Sequence, residues 1–161
     1  MGLHIVLVEP EIPQNTGNIA RTCAATGASL HLVEPLGFSL EDRYLKRAGL
    51  DYWHLLSMRN YPSLELFMKK HRDKSYWLVT TKGGHVYSDV TFPFDCYLLF
   101  GKETEGLPED LLRAYPGRCI RIPMIAGARS LNLSNAVAIV TYEYLRQHGF
   151  LHLQKYGSIP D

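Results

Sequence analysis

The chain has 161 residues, a formal net charge of +1, 46% hydrophobic and 20% charged residues, values that suit one water-soluble domain with a workable core. A charge so near zero excludes a protein that holds nucleic acid by bulk charge alone, though it leaves room for a local basic patch. Cys23, Cys96 and Cys119 fit neither a disulfide framework nor a zinc spacing, no apolar run reaches the length of a membrane span, and the N-terminus has no signal-peptide layout, so the expectation is a reduced, cytoplasmic protein without metal or membrane contact.

In chain order, residues 4–8 (His-Ile-Val-Leu-Val) read as a buried strand. A loop stiffened by Pro10 and Pro13 follows, and Asn15 is expected to cap a helix running through Ala25 and closed by Gly27. Gly17 and Arg21 share a face of it. Residues 29–34 read as a second strand, entering a Pro35-Leu36-Gly37 turn. Ser39 and Asp42 make an approximate capping box for a basic helix, residues 43–48, stopped by Gly49. A short strand is expected at 55–58, a helix from Pro62 through Lys70, and a strand at 76–81 rich in β-branched and aromatic residues. Residues 82–95 are irregular or weakly extended. Residues 96–100 form another buried strand, and Pro108 fits the first turn of a short helix, 109–114. A last short strand, 119–122, is stopped by Pro123.

The final helix carries Leu133, Val137, Val140 and Tyr144 at spacings of three and four, and Gly149 stands just past its end. Its entry holds Ser130, Asn132, Ser134 and Asn135, more hydrogen-bonding side chains than one cap needs. Strands alternating with helices predict an α/β fold with a mainly parallel sheet, helices on both faces, and one domain over residues 1–161. Ligands in such sheets sit beyond the carboxyl ends of the strands. Four loops qualify: the one before Asn15, residues 80–84, residues 101–106 and residues 122–135. Taken singly they are weak, since Gly101 and Gly106 are also ordinary turn glycines. Neither a triphosphate loop nor a Gly-x-Gly-x-x-Gly is present.

Taken together, the loops resemble a known family. Asn15-Thr16-Gly17-Asn18-Ile19-Ala20-Arg21 resembles the first motif of the SPOUT superfamily of RNA methyltransferases. Residues 99–106, Leu-Phe-Gly-Lys-Glu-Thr-Glu-Gly, resemble the second, and Ile122-Pro123-Met124 with residues 130–136 resembles the third. The opening Glu9-Pro10-Glu11-Ile12-Pro13-Gln14 is similar to the small TrmL-type enzymes, which methylate the ribose 2′-oxygen at the wobble position, cytidine or 5-modified uridine, of certain tRNAs. The chain departs from that pattern at Val8, Lys102, Glu105 and Leu131.

The resemblance implies a SPOUT fold, whose C-terminal segment makes a deep trefoil knot, one of the few exceptions to the no-threading rule. It implies an S-adenosylmethionine pocket lined by Val79, Gly101, Ile122, Ser130 and Leu131, where Gly101 and Gly106 let backbone approach closely. Ordinary core packing is the competing reading for Val79 and Ile122. It puts Arg21 at the reaction centre as the catalytic residue, stabilising the developing alkoxide and neighbouring phosphate, because a guanidinium is effectively never deprotonated. A solvated helix arginine is the alternative there. Asn15, Arg129 and Tyr142 are expected at the RNA, against helix capping, a surface charge and a core or dimer-contact aromatic. The partner is then the tRNA anticodon stem-loop, recognised by a homodimer that packs through the knot and last helix, with Arg21 reaching the partner's pocket. Arg43, Lys46 and Arg47, and Lys69, Lys70, Arg72 and Lys74, are the basic groups available to the tRNA backbone; charge runs are more often just wet faces. The same chemistry on ribosomal RNA, disfavoured by the absence of an N-terminal extension, a non-catalytic RNA binder of this fold, and an unrelated nucleotide-binding protein are the other readings.

Overall fold

Strands that are unbroken apolar runs can bury both faces, and the seven strands among the described residues pair into one sheet. The computed structural model describes residues 2–41, 43, 45, 47 and 52–160. The strands are β1 (Leu3–Val8), β2 (Ser29–Val33), β3 (Ser57–Tyr61), β4 (Tyr76–Val79), β5 (His85–Val86), β6 (Cys96–Phe100) and β7 (Cys119–Arg121). Their order is β3-β2-β1-β6-β4-β7-β5, and every ladder between them is parallel. The helices are α1 (Pro13–Thr26), α2 (Leu64–Lys70), α3 (Glu109–Ala114) and α4 (Leu133–Gln147). Arg43, Leu45 and Arg47 are also helical.

Odd positions of β1 and even positions of β6 (Leu3, Ile5, Leu7, Cys96, Leu98, Phe100) pack on one face against Ile19 and Cys23 of α1 and Val137, Val140 and Tyr144 of α4. The intervening positions, Val6, Val8, Tyr97 and Leu99, pack on the other face with Phe67 of α2 and, at its margin, Leu111 and Leu112 of α3. Helices therefore cover both faces, as the sequence pattern predicts for a parallel sheet. Leu98 is fully buried, so its truncation to alanine is expected to cost about 2–5 kcal/mol.

Several boundaries differ from the sequence reading. The cap position of α1 belongs to Ile12, with Pro13 in the first turn and no side-chain cap bond. Asn15 is not a cap; the helix begins three residues earlier because the fixed proline φ already suits a first turn. The strand expected at 55–58 lies at Ser57–Tyr61, behind a 3₁₀ turn at Trp53–Leu55. It is an edge strand in which only Tyr61 is buried, so its position is fixed by pairing with β2 and not by periodicity. Helix α2 starts at Leu64, because Ser63 Oγ accepts the Leu66 N–H and so caps it. A two-residue strand, β5, stands in the stretch expected to be irregular or weakly extended. Ser39 Oγ accepts from the Glu41 N–H, while Asp42, Ala48 and Gly49 of the expected second helix lie outside the described residues. Gly27 and Gly149 adopt φ of 74° and 64° just past α1 and α4, the left-handed close expected of helix-terminating glycines.

A chain of polar rings runs beneath the β1–β3 half. His31 is 1% exposed; its Nε2 lies 2.9 Å from His4 Nδ1 and its Nδ1 lies 3.0 Å from the Tyr61 hydroxyl. The Tyr61 hydroxyl is in turn 3.1 Å from His71 Nε2, and His4 Nε2 lies 3.4 Å from Asp95. With all three histidines neutral, one direction satisfies every atom. His71 donates to Tyr61, Tyr61 to His31, His31 to His4, and His4 to Asp95. Burial first, then the neighbouring His4 and His71, lowers the His31 pKa to about 3.

Candidate active site

Sheet order reverses direction between β1 and β6, since β2 lies on one side of that pair and β4 on the other. Loops leaving the two strands diverge there, which opens a crevice at their carboxyl ends. A cleft of about 560 Å³ lies beyond the carboxyl ends of β6, β4 and β7, with Ile12 and Asn15 from the β1 side at its edge, a volume within the range of sites for small organic ligands. Phe100, Leu107, Leu112 and Leu133 give it apolar lining, and the rest comes chiefly from residues 79–82, 101–106, 122, 124 and 129–132.

The loop after β6 is folded back on itself. Lys102 and Gly106 form an antiparallel bridge, closed by a Gly106 N–H to Lys102 carbonyl bond of 2.9 Å. A Cβ on Gly101 would stand 1.9 Å from the Gly106 carbonyl carbon and 2.1 Å from the Leu107 nitrogen. Glycine is thus demanded at 101 by the loop's own closure. Gly106, at φ 72°, turns the chain back in a conformation that side chains rarely adopt.

Side chains then bind this loop to the other two motifs. The Glu103 carboxylate accepts from the Glu11 N–H at 2.8 Å, the Ile12 N–H at 3.1 Å and Asn15 Nδ2 at 3.2 Å. It therefore ties down the entry to α1 from across the chain, at the cap residue and the one before it, and complements the helix dipole. In return Glu11 accepts from the Thr104 hydroxyl at 2.7 Å and the Thr104 N–H at 3.3 Å, and those two bonds hold its carboxyl below the usual range. Lys102 sits between Glu105 at 3.2 Å and Glu9 at 3.5 Å; Glu105 foremost and then Glu9 keep its ammonium protonated to higher pH. Glu9 itself has φ 54°, a left-handed bend uncommon for a non-glycine residue and placed where β1 must turn sharply into this rim.

Asn15 continues the network. Its Oδ1 accepts from Asn132 Nδ2 at 3.0 Å. The Asn132 Oδ1 accepts from the N–H groups of Ser134 at 2.9 Å and Asn135 at 3.3 Å and from the Ser134 hydroxyl at 2.6 Å. The surplus of polar groups at the entry to α4 has this explanation: Asn132 caps the helix and holds Asn15 as well. Each amide has hydrogen-bond partners at both its oxygen and its nitrogen, which fixes its orientation.

Val79, Gly101, Ile122, Ser130 and Leu131 all line the cleft, as do Asn15 and Arg129. Arg21 and Tyr142 do not. Arg21 is exposed on α1, its Nη2 3.2 Å from the Tyr52 hydroxyl and its guanidinium carbon 4.8 Å from the centre of that ring. Tyr142 is half exposed on α4 beside Ile139, whereas Tyr144 is buried in the core. Among the basic groups, Lys74 pairs with Asp95 at 3.0 Å, Arg72 with Asp73 at 3.6 Å, and Lys70 lies 5.6 Å from the centre of the Tyr61 ring; Lys46 lies outside the described residues. The described residues contain no group of three or more His, Cys, Asp or Glu side chains able to hold a metal ion. Sequence reasoning missed Glu103 and Asn132 as organising residues. Their only signal was a carboxylate inside a glycine-bounded turn and an asparagine at a helix start, and neither reveals a partner far along the chain.

A parallel α/β sheet with a cleft beyond the carboxyl ends of its strands, rimmed by loops that side chains wire together, defines a ligand-binding α/β protein. Residues 2–142 match the SpoU rRNA Methylase family, and the chain belongs to it. A tRNA (cytidine(34)-2′-O)-methyltransferase of Escherichia coli strain K12 is 48% identical over 149 residues, covering 92% of this chain and 95% of that protein. A structure solved for insight into 2-OH methylation of C/U34 on tRNA superimposes with a TM-score of 0.87 at 45% identity, covering 91% of this chain and 96% of the other. An AdoMet-bound rRNA methyltransferase from Sinorhizobium meliloti gives a TM-score of 0.81 at 28% identity, covering 89% of this chain and 56% of that one.

Proposed function

We propose that the chain transfers a methyl group from S-adenosylmethionine to the ribose 2′-hydroxyl of the wobble nucleotide, cytidine or 5-modified uridine, in the anticodon stem-loop of certain tRNAs. The observation that carries the reading is that the three motif loops meet at a single cleft, in a chain nearly half identical over most of its length to an enzyme named for that reaction. The residues present fit such a cofactor. A lining that mixes apolar side chains such as Val79, Leu107 and Ile122 with polar ones such as Ser130 and Thr80 suits a nucleoside without phosphates, which agrees with the missing phosphate motifs. Val79, Gly101, Ile122, Ser130 and Leu131 would hold it, and when bound it supplies an activated methyl on a sulfonium with a neutral leaving group.

The chain's own task is alignment and charge. Displacement at the methyl carbon needs the ribose oxygen in line with the departing sulfur, so binding both partners in one geometry supplies much of the acceleration. Arg21 supplies a fixed positive charge for the developing alkoxide and the adjacent phosphate, and the proton leaves to phosphate or water. Arg129 and Tyr142 are assigned to the RNA, Arg129 from the rim of the cleft, whereas Asn15, buried with its amide bonded to Glu103 and Asn132, acts behind that surface by holding the loops. Because Arg21 lies outside the cleft of its own protomer, the reading includes a homodimer in which it serves the partner's cleft. Exposed Ile139 and Tyr142 on α4, which packs on α1, supply apolar surface for such a contact. The reading also includes one methyltransferase domain over residues 1–161, a C-terminal trefoil knot that brings residues 122–135 beside the 101–107 loop, and action in the cytoplasm.

Labelled methyl incorporation tests it. With purified protein and labelled S-adenosylmethionine, label is expected in tRNA and not in ribosomal RNA, at the 2′-oxygen of nucleotide 34. Label confined to ribosomal RNA, or cofactor binding without any transfer, would overturn the assignment. Mixing an Arg21→Ala protein with a Gly101→Ala protein tests the dimer: activity of the mixture above that of either parent is expected, and a mixture no better than its parents refutes the shared site.

A further inference from the structure

Arg21 is on the exposed side of α1, and an isolated surface arginine spreads over many rotamers. Here it is held twice by one residue. Tyr52 accepts a hydrogen bond from Nη2 at 3.2 Å and presents its ring face to the guanidinium at 4.8 Å, a hydrogen bond and a cation–π contact from one side chain. Tyr52 is half-buried and is itself anchored, because its carbonyl accepts the Leu55 N–H at 2.9 Å. That bond closes the 3₁₀ turn Trp53–Leu55, and the turn packs against α1. The hydroxyl takes only one of the five N–H donors of the guanidinium, so most of the fork stays available to an incoming phosphate or sugar oxygen.

We propose that Tyr52 is a positioning residue for Arg21, fixing the orientation of its guanidinium so that the charge is aimed before RNA arrives. The inference rests on the assignment of Arg21 to the methyl-transfer step. Preorganisation raises the rate of the chemical step and leaves cofactor binding alone, since Tyr52 does not line the cleft. A merely structural tyrosine would act through stability, with no dependence on Arg21.

The test compares Tyr52→Phe, which keeps the ring and loses the bond, with Tyr52→Ala, which loses both, by single-turnover methylation of tRNA at saturating S-adenosylmethionine. Tyr52→Ala is expected to slow the step by about five- to thirtyfold, the value of a partly desolvated cation–π contact, and Tyr52→Phe by no more than about threefold. S-adenosylhomocysteine affinity should be unchanged in both. In an Arg21→Ala background, Tyr52→Ala should add nothing, because the side chain it positions is gone. Equal losses from Tyr52→Ala with and without Arg21, or a loss that follows a fall in melting temperature also present in Tyr52→Phe, would overturn the proposal. A Tyr52→Ala protein at full rate beside a disabled Arg21→Ala protein removes Tyr52 alone, whereas an Arg21→Ala protein at full rate removes the assignment of Arg21 beneath it.

Discussion

Two polar networks cross this sheet, and they are built on opposite electrostatic plans. At the rim of the cleft, Glu9, Lys102, Glu105, Glu11 and Glu103 form a charged, solvent-facing web between loops. Beneath β1–β3, His4, His31, Tyr61 and His71 form a neutral chain closed to water at His31. Charge is affordable at the rim because water screens it, and each pair there contributes little alone. In the interior the same charges would cost several kcal/mol, so the buried network carries polarity without charge. The rim can therefore exchange partners with a ligand, while the ring chain can only hold strands in place.

Breaking the rim at its most constrained atom should have the largest effect. Gly101→Ala forces a Cβ into backbone, so S-adenosylhomocysteine binding and methyl transfer are expected to be lost, by at least about a thousandfold in rate, while thermal melting still shows a folded protein. Wild-type binding by this variant, in calorimetry, would show that the loop is not closed as described. Next comes Arg21→Ala, expected to lower the rate by about 10²–10³-fold with cofactor affinity intact. Arg21→Lys should keep part of the activity; a dead Arg21→Lys enzyme rescued only at high pH would favour arginine as the base.

Acid should break the other network. The His31 pKa in the fold is about 3 against 6.5 for the ordinary side chain, so below pH 6.5 the unfolded chain takes up a proton that the folded chain refuses. Stability is fully present above pH 6.5 and falls by up to about 1.4 kcal/mol per pH unit between there and pH 3. His4 and His71, also lowered, act in the same direction. Urea unfolding at pH 7 and pH 5 is expected to differ by about 2 kcal/mol, with the difference reduced in His31→Gln; equal stabilities would refute a neutral chain. The smallest effect is that of Glu103→Gln. One carboxamide oxygen cannot accept from three donors on two sides, so about 1 kcal/mol is expected to be lost, or a melting point lower by about 2–4 °C.

The sequence was informative where one segment determines its own structure. Strands β1 and β6 were legible because buried parallel strands are unbroken apolar runs, and α4 because Leu133, Val137, Val140 and Tyr144 repeat at helical spacing. The motif loops were legible through their resemblance to a family, which composition alone could not supply. What stayed hidden was decided by a distant partner. Asn15 read as a cap because asparagine favours caps, yet its amide is taken by Glu103 and Asn132. β3 is a polar edge strand whose limits come from β2. The ring chain joins residues from four separate segments, and no spacing in the sequence announces it.

The Asn15–Asn132 bond joins residues at opposite ends of the chain, and its consequence is mechanical. Asn15 stands six residues before Arg21 on one rigid helix, an axial separation of roughly 9 Å. The bond therefore tethers the start of the helix that carries Arg21 to the capping residue of α4, and the two segments are held as one unit.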